Sequence, residues 1–128
     1  MRKLMCLMAV LVLVLSTSVA FAGSSEDAYF FNQTDETRRV EIRIVCTESG
    51  SGAMPTVTVP ANGDANFSYS GHYDEKQNWT FKVYDPKSKL IAEAIINWAD
   101  GKFSPQVVGD GITYETFSPD ELKLTITK

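Results

Sequence analysis

Few side chains in this chain could do covalent chemistry, and their spacing decides against most of it. His72 is the single histidine, and Cys46 is the one cysteine outside an apolar N-terminal run that holds Cys6. A Cys46–His72 dyad needs an exposed thiol and a third group to orient the base. Cys46 instead falls on the apolar phase of an alternating segment, where cysteine acts as a small buried hydrophobe. Asp74, Glu75 and Asp85 lack the alternate spacing of a calcium loop, and zinc asks for more histidine or cysteine than these two residues supply. No pattern sets two carboxylates across a cleft, as glycoside hydrolysis requires. A protein that is not an enzyme, with no metal or other cofactor, is the expectation.

Arg2-Lys3, the apolar run from Leu4 to Leu15 and the segment Ala20-Phe21-Ala22 are the charged, apolar and cleavage regions of a signal peptide over residues 1–22. The run is about 12 residues, short of the ~20 that a membrane helix needs, and no later stretch is apolar enough to span. Export to the periplasm or the cell exterior is expected. Taking 22 from 128 leaves 106 residues, 23–128, which is enough for one core and not for two. Two of twelve basic residues leave with the signal, so ten face sixteen acids. A mature chain of that sign has no footprint for nucleic acid. With Cys46 alone remaining, no intramolecular disulfide is available in an oxidising compartment, so the core must supply the stability. A monomer is expected.

Whatever site exists must be positioned by strands. Val40, Ile42, Ile44 and Cys46 share one phase, with Arg39, Glu41 and Arg43 on the other, the period of a half-buried strand. The alternation recurs in Thr56 to Val59, in Phe67 and Tyr69, in Trp79, Phe81 and Val83, in Leu90 to Trp98, and in Leu122, Leu124 and Ile126. Lys89 to Trp98 is the one helix competitor, but Ile91, Ile95 and Ile96 are β-branched and Asp85-Pro86 leads in. Turn signals separate these runs: Ser49 to Gly52, Pro60 to Asp64, Asp100-Gly101, Asp110-Gly111 and Ser118 to Asp120. The fold class is all-β, an antiparallel β-sandwich of about seven to nine strands.

Phe67-Ser68-Tyr69-Ser70-Gly71-His72 followed by Trp79 is the most informative segment. With Phe31-Asn32, Pro55-Thr56, Val59-Pro60, Gly63 and the run from Trp79 to Asp85 ahead of Leu90-Ile91, it resembles the β domain of the von Hippel–Lindau tumour suppressor over roughly residues 29–98. The resemblance implies a prealbumin-like sandwich and recognition of an extended peptide through a hydroxyproline pocket. It places Ser68, His72 and Trp79 at pocket positions, with Ser68 and His72 as polar contacts and Trp79 as an apolar wall. Five further residues, Tyr73 to Gln77, stand before Asn78-Trp79, and Tyr73 is the residue able to replace an aromatic wall absent near Met54, Thr56 and Ile44. No counterpart of the family's helical domain is expected. A serine hydroxyl and an imidazole nitrogen can satisfy a ring hydroxyl that both donates and accepts.

A peptide or protein partner is therefore expected, with no catalysis. Ser49-Gly50-Ser51-Gly52-Ala53 resembles the protruding loop of periplasmic C-type lysozyme inhibitors, so enzyme inhibition is an alternative, as is a purely structural envelope role. Expressed in a bacterial host, the full chain should yield an exported form whose N-terminal sequence begins at Gly23. A product that keeps Met1 inside the cell would overturn the export reading.

Overall fold

Alternation decides the elements. The computed structural model describes residues 25–128, so the signal segment expected at 1–22 lies outside the described residues. Ten strands follow in order: β1 (Ser25–Asn32), β2 (Arg38–Cys46), β3 (Gly52–Ala53), β4 (Thr56–Val59), β5 (Asp64–Ser70), β6 (Gln77–Tyr84), β7 (Leu90–Ala99), β8 (Lys102–Val108), β9 (Ile112–Ser118) and β10 (Glu121–Ile126). The count exceeds the expected range because one edge is split at Met54-Pro55 into β3 and β4, both of which pair with β2. Proline has no N–H to give to a ladder, which is why it interrupts an edge. Leu90–Ala99 is a strand, as its β-branched residues indicate.

The strands form two sheets, one ordered β5-β1-β10-β9 and the other β3-β2-β6-β7-β8 with β4 beside β2. Every ladder is antiparallel except β1 with β10, which run parallel with Tyr29 opposite Lys123 and Phe30 opposite Leu124. The fold is the expected antiparallel-rich β-sandwich, with this one parallel ladder in it. The first and last described strands meet only after the rest of the chain has crossed over, which satisfies the long connection a parallel pair demands. Asp100 (φ 56°) and Gly101 (φ 77°) make the two-residue turn between β7 and β8, where both central positions need positive φ.

The inward phases meet in one apolar layer. Ala28, Phe30, Leu122, Leu124 and Ile126 of the first sheet face Val40, Ile42, Ile44, Trp79, Phe81, Ala94, Ile96 and Trp98 of the second, all essentially without solvent contact. Trp79 sits among aromatic neighbours, with ring centroids 5.2 Å from Phe103, 5.9 Å from Phe81, 6.0 Å from Tyr69 and 6.1 Å from Phe67. Among the described residues, no helix is long and apolar enough to cross a membrane. Trp79→Ala should lower the unfolding free energy by about 3–5 kcal/mol in urea titrations, the usual cost of emptying a large aromatic site. A loss below about 1 kcal/mol would show that this ring is not a core support.

Candidate functional site

At one end of the sandwich, polar groups from distant parts of the chain converge. Strand β5 ends at Ser70, and Gly71 turns the backbone at a φ of 93° that a side chain would resist. His72 is thereby folded back so that its ring stacks on Tyr69, with centroids 5.5 Å apart and 15° between planes. The Glu75 N–H donates to the His72 carbonyl (3.1 Å), and His72 Nδ1 lies 2.8 Å from Glu75 Oε2. Cys46, at the end of β2, brings its sulfur within 3.7 Å of the Tyr69 hydroxyl. One donor atom each from Cys46, His72 and Glu75 lies within 4.8 Å of the others. Of the acids expected to be scattered, Glu75 alone is thus brought to Cys46 and His72, and Asp74 and Asp85 stay outside the cluster. The sequence hides the cluster because Cys46 and His72 lie 26 positions apart and no local spacing links them.

Two further buried polar residues lie at this end. Gln77 is buried, with its Nε2 donating to the His72 carbonyl (2.7 Å) and its Oε1 accepting from the Trp79 indole N–H (2.7 Å). Glu26 is inward on β1, opposite Tyr69 in register, fully buried, and neither carboxylate oxygen has a hydrogen-bond partner. Burial pushes its carboxyl from 4.5 up to about 7, with the neighbouring Gln77 amide and His72 acting in the other direction. Burial likewise pushes the Cys46 thiol up, against the opposing influence of the Tyr69 hydroxyl, and pushes Tyr69 up to about 12. A buried thiol held protonated is a poor nucleophile.

The four residues expected at a pocket are separated. Ser68 is exposed on the outward phase of β5, where its hydroxyl donates to Asp27 Oδ1. His72 stacks on the inward Tyr69, so the pair is not set to share one ligand hydroxyl. Tyr73 is half-buried, its hydroxyl 3.2 Å from Asp120 Oδ2, its ring edge-on to Trp98 and its carbonyl accepting from the Trp98 indole. Trp79 has no exposed surface and is a core residue in place of the wall expected of it. The Gly-Ser segment at 49–53 closes the β2–β3 hairpin: the Gly50 N–H donates to Cys46 O (2.8 Å) and the Cys46 N–H to Ser51 O (2.7 Å). A Cβ on Gly52 would run into the Ile44 carbonyl, so its glycine is needed for strand pairing.

A second region lies on the outer face of the first sheet. Tyr29 and Phe31 of β1 point outward while Ala28 and Phe30 point in. Phe117 of β9 meets both edge-on, at 5.4 Å and 6.4 Å, and Lys123 of β10 stands 5.3 Å over the Phe31 ring. Phe117 is 55 % exposed. Asp27, Asp64, Glu115 and Glu121 surround these rings, Glu121 as acceptor from the Tyr29 hydroxyl (3.4 Å) and Glu115 paired with Lys123 (3.5 Å). The signal in the sequence is that Ala28-Tyr29-Phe30-Phe31 is apolar on both phases, a pattern of strands covered on two faces.

No family model matches the chain and no curated protein is similar to it. Among solved structures, the abundant perithecial protein (APP) of Neurospora crassa is similar at 10% identity and a TM-score of 0.47. The match covers 81% of this chain and 55% of that one, so this chain spans about half of that protein's length.

The Glu26 carboxyl sets a pH dependence. Below pH 4.5 it is protonated whether the chain is folded or not. As pH rises from 4.5 toward 7 the unfolded chain ionises first, so the fold loses stability, by an upper bound of about 3 kcal/mol. Urea titrations in metal-free buffer should show the wild type weaker at pH 8 than at pH 5, with Glu26→Gln flattening that difference. Equal pH profiles for the two proteins would show that Glu26 ionises normally.

Proposed function

We propose that the protein is an exported, non-catalytic binding module that holds an extended, proline-containing peptide with basic flanks on the outer face of the four-stranded sheet. The observation that carries this reading is Phe117, which stays 55 % exposed while in edge contact with Tyr29 and Phe31. Exposed, clustered aromatic surface is characteristic of recognition sites. Proline-rich segments arrive already extended and stack their rings on aromatic surfaces, so little ordering entropy opposes binding. The four surrounding carboxylates against the single Lys123 favour a ligand that carries lysine or arginine beside its prolines. Ser68, next to Asp27 on this face, supplies a hydroxyl at its edge. The resemblance to the von Hippel–Lindau β domain supports the same class of ligand on a different part of the sandwich.

Calorimetric titration with a proline-rich peptide flanked by lysines, a matched 4-hydroxyproline peptide and an acid-flanked version tests this. Binding should favour the basic peptides and weaken with salt, and Phe117→Ala should weaken it by at least about tenfold with an unchanged melting temperature. The reading fails if no peptide binds, if Phe117→Ala binds as well as the wild type, or if soluble glycans bind and peptides do not. A preference for the hydroxylated peptide that depends on Ser68 would identify hydroxyproline as the residue recognised.

A further inference from the structure

The convergent end of the sandwich is not absorbed by peptide recognition on the outer face, and its donor set has a chemistry of its own. We propose that Cys46, His72 and Glu75 form a binding site for a divalent transition-metal ion of the zinc type. A thiolate sulfur, an imidazole nitrogen and a carboxylate oxygen are the three donors that zinc accepts in four-coordinate sites. Calcium and magnesium bind through oxygen alone and are disfavoured by the thiol.

The geometry is close to what such an ion needs. Tetrahedral zinc with bonds of about 2.0–2.3 Å sets its donors roughly 3.3–3.8 Å apart. The three donor atoms here lie within 4.8 Å of one another, and the hydrogen-bonded His72–Glu75 contact of 2.8 Å would open by about 0.5 Å as the ion takes the place of the shared proton. Loop closure over this distance is a movement of side chains on a turn, not of the sheets. His72 and Glu75 keep 32% and 25% of their side-chain surface open, so two of the three donors meet solvent while the sulfur is buried behind them.

Two features around the donors point to a cation in particular. Glu26 is a fully buried carboxyl whose oxygens have no hydrogen bond of normal geometry, the neighbouring Gln77 amide offsetting only part of its burial, and it lies within electrostatic reach of Cys46, Tyr69 and His72. Buried carboxyl groups are normally satisfied by donors or by a positive charge. A divalent ion held by the three donors would supply that charge nearby, with a water at the fourth position. The donors are also held by an outer layer, as metal ligands are: Tyr69 touches the sulfur with its hydroxyl and the imidazole with its ring, and Gln77 ties the His72 carbonyl to the core. Binding would displace the thiol proton of Cys46 into solvent, so affinity should fall in acid.

Cobalt(II), added to the protein after EDTA treatment and dialysis, is the probe. One equivalent should give tetrahedral visible bands and a thiolate-to-cobalt charge-transfer band, both removed by adding zinc. Cys46→Ser should abolish the charge-transfer band. Because that buried position bears on folding, His72→Gln and Glu75→Gln serve as partly exposed variants, each checked by circular dichroism. Each should weaken cobalt binding by at least about tenfold while the metal-free fold persists. The proposal is overturned if no charge-transfer band forms, or if either variant binds cobalt as tightly as the wild type, which would mark the ion as bound elsewhere on the acidic surface. These results are independent of peptide titrations on the outer face.

Discussion

The arrangement of this protein's polar end depends on the need to satisfy one buried N–H. Trp79 is fully buried with four aromatic rings against it, and an indole donor left unpaired there would cost about 1–3 kcal/mol. Gln77 accepts that hydrogen bond with its oxygen, which leaves its amide nitrogen to donate, and the acceptor within reach is the His72 carbonyl. A core requirement is thus passed along two hydrogen bonds into a loop. Trp98 repeats the device, donating to the Tyr73 carbonyl. Two core tryptophans therefore hold consecutive residues of the same loop, which explains how a segment rich in Tyr, Asp and Glu is ordered against the sandwich.

Once the loop is held, the positions of its side chains follow. With the His72 backbone anchored and Gly71 turned through positive φ, the ring is laid on Tyr69, whose hydroxyl already meets the Cys46 sulfur. Glu75 then reaches the imidazole across a single turn. The parallel pairing of β1 with β10 places β1 inside its sheet, between β5 and β10, and so drives Glu26 into the interior. That location is costly for a carboxylate, and burial raises its pKa accordingly. The same placement turns Tyr29 and Phe31 outward beside Lys123, so one topological choice creates both the buried acid and the aromatic face.

These two regions call for different physical descriptions. The outer face is apolar area with a rim of carboxylates, suited to a ligand that stacks and carries positive charge. The sandwich end is a set of mixed donors around a buried acid, suited to a small cation. Neither uses Ser68, His72, Tyr73 and Trp79 as a unit, because the pleat sends Ser68 and Tyr69 to opposite sides of the sheet. A serine one residue away from the stacked tyrosine is for that reason on another surface.

Period-two alternation by itself determined the sandwich, the inward residues of β2, β6, β7 and β10, and the turns at Asp100-Gly101 and Asp110-Gly111, since each is a local consequence of pleat and φ. Composition determined the acidic charge, and Cys46 is the one cysteine among the described residues. What tertiary structure alone decided is which distant residues meet. The parallel closure of β1 on β10, the burial of Glu26 and the meeting of Cys46 with His72 and Glu75 all depend on strand order. No residue spacing encodes that order, because a strand's pattern states which face is buried and not which neighbour will cover it.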